Sequence, residues 1–156
     1  MPILAIPFTP GGGVRVQVQI TLGRPEVLRR RQAGLAIPQP LSIVALLDTG
    51  AERTCVDPSV VTRLRLPPSQ PGFILAPGAT GGSPVFGGSS LTFSYEAGLV
   101  ILHPIIKPPS NLIVHELEVD ELPLLAFGIE AVIGRDVIAS CVLVYDGPSA
   151  SATLAY

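Results

Sequence analysis

Alternating apolar and polar positions predict that this chain is built mainly from β-strands. In residues 14–22 (VRVQVQITL) every second side chain is Val, Ile or Leu, which is typical of a strand with one buried face. Residues 41–47 (LSIVALL) form an apolar run, which predicts a strand covered on both faces. Residues 23–34 between these runs are polar and predict a connector. The arginines at 29–31 indicate a solvated loop face, with a binding patch as the alternative.

Further apolar runs, separated by turns rich in glycine and proline, predict additional strands. GFILA and SLTFSY flank a glycine-rich segment with its tip at residues 78–82, which predicts a hairpin, with a plain flexible loop as the alternative. GLVILHPII and NLIVHELEV are typical of two separate strands. A short apolar strand then leads into Gly134 and a helix-like run. The last run, VLVYDGPSASATLAY, predicts a hairpin that turns at Asp146 and Gly147.

The residues after the central apolar run also predict the start of a helix. Asp57 can accept hydrogen bonds as an N-cap, and Pro58 suits the first helical position. Val60, Val61 and Leu64 would then lie on the inward side of a short helix. Together these patterns predict an all-β fold, a small closed or partly closed β-barrel with one or two short helices.

The composition is that of one apolar, lightly charged domain. A length of 156 residues is enough for a single domain, residues 1–156, with a core of its own. Charged residues make up only 14% of the chain and hydrophobic residues 47%, so we expect a partner to cover part of the surface. The formal net charge of −2 provides no basic surface for nucleic acid, and no nucleic-acid partner is expected.

The cysteines, the histidines and the start of the chain indicate no metal, cofactor or membrane segment. Cys55 and Cys141 are too few for a disulfide framework and predict two thiols, and the two histidines are isolated. Residues 1–13 lack a charged region and hold three prolines, which makes them a poor signal peptide. The most apolar run, residues 97–106, is about half the length needed to cross a bilayer. We therefore expect a cytoplasmic protein without a cofactor.

An acidic residue stands where the central apolar run ends. Asp48, Thr49 and Gly50 follow residues 41–47 directly. Asp and Gly are common turn residues, so a plain turn is one interpretation. A carboxylate at the edge of a core is costly to ionise, however, unless hydrogen bonds or a shared proton offset that cost. The glycine also lets the main chain pass close to the acid. This setting makes Asp48 the first candidate for catalysis.

Three motifs in sequence order resemble a known enzyme family. They are LLDTGA at residues 46–51, the glycine-rich segment around 78–82, and AVIGRD at 131–136, followed by a terminal strand. This order resembles the retropepsin-like, or retroviral-type, aspartic proteases, and the ending is similar to the stand-alone bacterial or archaeal members. The departures are a longer connector at 23–40, the helix after Asp57 and a longer flap region. The resemblance implies a β-barrel of the retropepsin type and hydrolysis of peptide bonds.

The resemblance also implies roles for the residues of the first motif. Asp48 would be the catalytic acid, and Thr49 would bond to its twin in a second subunit. Gly50 and Ala51 would shape the loop. Since the methyl group of Ala51 cannot donate a hydrogen bond to the carboxylate, we expect the acid pair to keep its proton to higher pH and activity to be mildly acidic.

Two further elements are implied by the same resemblance. The flap would consist of Gly78, Ala79, Thr80, Gly81 and Gly82. Glu52 and Arg135 would form a buried ion pair that ties the active-site loop to the helix. A surface arginine at the start of that helix is the alternative for Arg135.

A single copy of the catalytic motif predicts a homodimer. The mechanism needs two carboxylates that share one proton, and Asp-Thr/Ser-Gly occurs once in the sequence. Two chains about a two-fold axis would supply both. The resemblance further implies that the chain ends form interleaved strands between the two subunits. The expected function is therefore an aspartic endopeptidase acting on extended peptides. The alternatives are a non-catalytic dimeric peptide-binding module, an unrelated ligand-carrying barrel, and an enzyme that cleaves only itself or one partner.

Overall fold

The computed structural model describes residues 2–76, 88–103 and 111–156. The predicted flap residues, Gly78, Ala79, Thr80, Gly81 and Gly82, lie outside the described residues. Within the described ranges, no helix combines the length and the apolar character that crossing a bilayer requires.

The described residues contain ten strands and three short α-helices. The strands are β1 (Ile3–Pro7), β2 (Val14–Leu22), β3 (Leu41–Leu47), β4 (Cys55–Val56), β5 (Pro68–Ala76), β6 (Gly88–Ile101), β7 (Leu112–Glu121), β8 (Ala131–Ile133), β9 (Val142–Asp146) and β10 (Ser151–Ala155). The helices are α1 (Arg24–Gln32), α2 (Pro58–Leu64) and α3 (Arg135–Ile138), and a single 3-10 turn covers Leu125–Phe127.

Six of the described strands close into a barrel in the order β2-β3-β8-β4-β7-β6, because β6 pairs again with β2. Residues 14–20 of β2 pair antiparallel with β3, and residues 18–22 pair antiparallel with β6. β2 therefore has a strand partner on each of its two edges. β5 pairs with β6 and lies outside the closed ring. The predicted all-β barrel with short helices is therefore confirmed.

A second, three-stranded sheet joins the two ends of the described chain. β1 pairs antiparallel with β10, and β10 pairs antiparallel with β9. Both edges of β10 are thus occupied within one chain, whereas the outer edges of β1 and β9 have no strand partner among the described residues. The expected interleaving of the chain ends between two subunits stays a prediction, and in this sheet it would use the outer edges of β1 and β9.

The main core fills the barrel and follows the predicted alternation of β2. The apolar residues at 14, 16, 18, 20 and 22 are buried, whereas Arg15 and Gln17 between them are exposed. β3 departs in part from its prediction: residues 43, 45 and 47 are buried, but 41, 44 and 46 are only half-buried and Ser42 is exposed. The second face of β3 is therefore not sealed within one chain.

The polar connector predicted for residues 23–34 is wrong, because most of it is helix α1. Glu26 is buried in the first turn, and its carboxylate receives hydrogen bonds from Arg29 and Arg30 at 2.6–2.7 Å. An acid in the first turn and arginines in the last turn both complement the helix dipole. The only aliphatic side chains in the helix, Val27 and Leu28, are half-buried and exposed, so α1 carries no apolar stripe that periodicity could detect.

The separate strand predicted at residues 98–106 is also wrong, because its first part continues β6 up to Ile101. The pairing of β6 with β7 shifts register here: Ala97 lies opposite Leu117 and Leu99 opposite Val114, so β7 carries the extra residue of a β-bulge across from Gly98. A Cβ at Gly98 would lie 2.4 Å from Thr21 Oγ1 and 3.2 Å from Leu22 O, so glycine eases the close approach of β2. One long strand therefore runs where the sequence indicated two. Residues 104–106 lie outside the described residues.

The predicted helix after Asp57 is confirmed as α2. The Ser59 amide donates to Asp57 Oδ1 at 2.9 Å, which is the expected N-cap bond. Val60, Val61 and Leu64 are buried as predicted. The terminal hairpin is confirmed by the β9–β10 pair, and the strand entering Gly134 is confirmed as β8 followed by α3.

Candidate active site

Asp48 lies at the end of β3, where the barrel places it beside β8. β3 and β8 run parallel with Leu47 opposite Ile133, and the Asp48 amide donates to Ile133 O at 3.0 Å. The chain then turns, because the Ala51 amide donates back to Asp48 O at 3.2 Å. The carboxylate is therefore held at a fixed point by main-chain bonds on both sides. Its side chain is half-buried, as expected for an acid at the edge of a core.

The tight turn orients the Asp48 carboxylate through the Gly50 amide, which donates to Oδ1 at 2.8 Å. In the described part of the chain, Oδ2 has no hydrogen-bond partner. A Cβ at Gly50 would lie 3.1 Å from Oδ1, which is tighter than ordinary contact. Glycine thus leaves room for this amide contact, and one oxygen stays available for chemistry. Thr49 is exposed beside it.

The loop that follows Asp48 is tied by its main chain to the start of α3. The Arg135 amide donates to Ala51 O at 2.9 Å, and the Asp136 amide donates to Glu52 O at 3.2 Å. Gly134 comes so close to Arg53 that a Cβ would lie 2.6 Å from its carbonyl carbon. Since main-chain atoms cannot rotate away, only glycine fits at this contact.

A side-chain link from Thr54 to Asp136 reinforces this connection and was not found in the sequence. Thr54 is fully buried, and its amide and Oγ1 both donate to the Asp136 carboxylate at 2.8 Å. Thr54 Oγ1 also accepts from the Gly134 amide at 3.2 Å. One hydroxyl therefore connects the loop after Asp48 to two residues at the start of α3. The motif alone gives no signal for this, because the partners are about eighty residues apart.

Glu52 and Arg135, predicted as a buried pair, form no ion pair with each other in the described structure. Both side chains are exposed. Arg135 Nη1 instead donates to Thr49 O at 3.0 Å, so this arginine holds the turn through a carbonyl oxygen. The Thr54–Asp136 contact supplies the side-chain link between the loop and α3 that the ion pair was expected to make. The alternative of a surface arginine at the helix start matches the observed exposure of Arg135.

A second polar network lies behind the loop and was also missed. Arg53 Nε lies 3.2 Å from Asp120 Oδ2, and its Nη2 lies 3.0 Å from Glu118 Oε2. Asp120 is buried and accepts from Ser94 Oγ at 2.6 Å. Residues 118 and 120 are two apart on β7 and so point to the same face. The network anchors Arg53 to the barrel wall formed by β6 and β7.

Asp57 joins the start of α2 to the 3-10 turn at residues 125–127. Its Oδ2 accepts from the amides of Leu124 at 2.8 Å and Leu125 at 3.1 Å, while Oδ1 caps α2 through Ser59. Burial raises the pKa of this carboxyl group, but the amide hydrogen bonds outweigh it, so the net shift of the pKa is downward. Asp57 therefore works as an ionised structural bridge.

The other reactive side chains form no further centre in the described residues. Within these ranges, no group of three or more His, Cys, Asp or Glu side chains lies close enough together to hold a metal ion. Cys55 and Cys141 are free thiols. Burial raises the pKa of Cys55 to about 12 and also raises the pKa of Cys141, so both stay protonated at neutral pH.

Comparison with known proteins relates this architecture to solved structures. No protein-family model and no curated protein matches the sequence. A retropepsin-like aspartic protease from Rickettsia conorii matches 99% of this chain and 90% of its own, with a TM-score of 0.59 and 11% identity. The retroviral protease-like domain of Ddi1 from Leishmania major matches 85% of this chain and 82% of its own, with a TM-score of 0.40 and 11% identity. The first match covers the terminal sheet as well as the barrel, and the chain therefore has a retropepsin-like fold.

Proposed function

We propose that the protein is an aspartic endopeptidase that acts as a homodimer on extended peptides. The observation that carries the proposal is the Asp48 turn: a half-buried carboxylate at a strand end, with Oδ1 held by the Gly50 amide, in a retropepsin-like fold. Thr49, exposed at the tip of the turn, would bond to its twin from the second subunit. The residues at 78–82 would form the flap over the peptide.

The chemistry follows from two Asp48 carboxyl groups that share one proton. Like charges a few ångströms apart do not both ionise, so one group is a base and the other an acid. The ionised group takes a proton from water while the water oxygen attacks the carbonyl carbon, and the protonated group donates to the carbonyl oxygen. The tetrahedral intermediate then collapses, a proton passes to the amide nitrogen, and the C–N bond breaks. Atoms and charge balance without any cofactor.

Two observations support the second subunit. Asp-Thr/Ser-Gly occurs once in the sequence, so one chain supplies only one of the two carboxyl groups. The terminal sheet also exposes apolar side chains that a partner could cover. These exposed residues are Ile3, Val142, Val144 and Tyr145, at 54–60% of their full accessibility. They lie on β1 and β9, the outer strands of the terminal sheet, whose outer edges pair with no other strand in the described part of the chain.

The test is cleavage of a diverse peptide mixture, followed by mass spectrometry at several protein concentrations. We expect cleavage that a pepstatin-type inhibitor blocks and that Asp48→Asn abolishes. Glu116→Gln is the matched control, because it removes one negative charge from an exposed site on β7 and should leave cleavage unchanged. Sedimentation at the same dilutions should show that activity disappears as the dimer dissociates. Binding without cleavage by the native protein would instead favour the non-catalytic peptide-binding module.

A further inference from the structure

A cavity of about 500 Å³ opens beside the strand end that carries Asp48. Six residues line it: Pro7, Phe8, Thr9, Gly12, Gly13 and Arg15. The register of β2 with β3 fixes its place, because Val14 lies opposite Leu47, the residue before Asp48. Gly13 packs against Leu46, where a Cβ would come within 2.5 Å of Leu46 Cδ1. The cavity is therefore adjacent to the candidate catalytic turn.

The guanidinium of Arg15 forms one wall of this cavity and is held in place by carbonyl oxygens. Its Nε donates to Gly12 O at 3.3 Å, and its Nη1 makes a longer contact of 3.5 Å with Gly128 O. Within the described residues no carboxylate lies within 4 Å of it, whereas Arg29, Arg30, Arg53 and Arg63 each pair with an acid. Arg15 thus carries a full positive charge with only neutral partners.

Arg15 is exposed to solvent, and Phe8 and Pro7 form an apolar part of the same cavity wall. Phe8 stacks on Tyr145 with ring centroids 4.6 Å apart, so that wall of the cavity is rigid and aromatic. On its other side, the guanidinium contacts the carbonyl oxygen of Gly128. The residue before it in the chain, Phe127, is 71% exposed. A guanidinium that shares a cavity with Pro7 and Phe8 suits an acidic group that is carried next to apolar residues.

We infer that this cavity binds a side chain of the peptide substrate and that Arg15 selects an acidic residue there. The inference rests on the proposed peptidase function and adds the substrate class. Charge complementarity decides the occupant: a Glu or Asp carboxylate would give Arg15 the charged hydrogen-bond partner that the described chain does not supply. The contacts of Arg15 with Gly12 O and Gly128 O orient part of its side chain before binding, which lowers the entropy lost when a peptide binds.

The test compares cleavage of peptide pairs that differ only by Glu against Gln at each position near the scissile bond. At one position, we expect the native protein to prefer Glu by about 10- to 100-fold in kcat/KM, the range that one charged hydrogen bond supplies. Arg15→Gln should bring this ratio close to one, and Arg15→Glu should favour Lys instead. Arg31→Gln is the matched control, because Arg31 is exposed on α1 and away from the cavity.

The remaining outcomes separate this inference from the proposed function. If the native protein cleaves nothing, the peptidase proposal fails, and the binding of the same Glu and Gln peptides to the Asp48→Asn protein then tests Arg15 alone. Equal binding of both peptides overturns the inference. An unchanged Glu preference in Arg15→Gln also overturns it. A variant that weakens self-association without altering the preference assigns Arg15 to contact with a second copy, and that result too rejects the inference.

Discussion

The Thr54 hydroxyl is the single group whose removal should most weaken the link between the Asp48 turn and α3. Thr54→Val keeps the shape of the side chain but deletes the bonds of Oγ1 to Asp136 and Gly134. Losing a hydrogen bond to a carboxylate costs about 1.5–3 kcal/mol, and leaving the buried Gly134 amide unpaired costs about 1–3 kcal/mol. We expect the free energy of unfolding to fall by about 3–5 kcal/mol.

This loss should appear in both stability and activity. For a chain of this size it corresponds to a fall in Tm of about 6–20 °C, measured at fixed protein concentration because a dimer makes Tm concentration-dependent. Where the variant is still folded, kcat should fall by at least about tenfold, since the loop that positions Asp48 is no longer fixed to α3. Calorimetry and peptide cleavage measure the two effects on the same preparation.

The matched control is Thr62→Val, which makes the same chemical change on the exposed side of α2. Thr62 Oγ1 donates to Pro58 O at 3.0 Å within the helix, so its loss should change the free energy of unfolding by less than about 0.5 kcal/mol. A Thr54→Val protein that loses no more stability than this control would refute the reasoning. It would mean that water or a rearranged loop replaces the hydroxyl.

Two further substitutions test the electrostatic arguments. Hydrogen bonds from Arg29 and Arg30 outweigh the effect of burial and lower the pKa of Glu26 from 4.5 to about 2. The ionised Glu26 therefore stabilises the fold above about pH 5, and this contribution to the free energy of unfolding disappears as the pH falls towards 2. In urea titrations, Glu26→Gln should therefore reduce the free energy of unfolding by about 1–3 kcal/mol at pH 7, with the deficit shrinking below pH 5; a deficit independent of pH would contradict this. Ala51→Ser should add a hydroxyl that donates to the ionised Asp48 pair, lowering its pKa and moving the acidic limb of the kcat/KM profile to lower pH. A limb that stays in place or moves upward would reject that role for residue 51.

The sequence predicted those elements whose signal is local. Alternation in β2 and the cap at Asp57 each depend on residues a few positions apart, and both predictions are confirmed. β1 was not predicted, because its five residues include a proline and its hydrogen bonds go to β10 at the far end of the chain. α1 was missed because charge placement, rather than an apolar stripe, stabilises it.

The candidate site shows the same division between local and long-range information. The Asp48 turn follows from its own three residues, including the Gly50 amide that holds the carboxylate. The contacts of Thr54 with Asp136 and of Arg53 with Asp120 join distant segments, so only the folded barrel reveals them. The expected pair of Glu52 with Arg135 came from resemblance alone, and in this chain the arginine bonds to the Thr49 carbonyl instead.

The way β10 is enclosed by β1 and β9 bears on how such an enzyme could be controlled. A subunit that pairs both edges of its own β10 does not need a second copy for that strand, so its folding and its dimerisation are separable events. If the proposed dimer is the active form, the protein at low concentration would be a folded but inactive monomer. The concentration of active dimer would then rise with the square of the monomer concentration. The abundance of the protein would then control proteolysis.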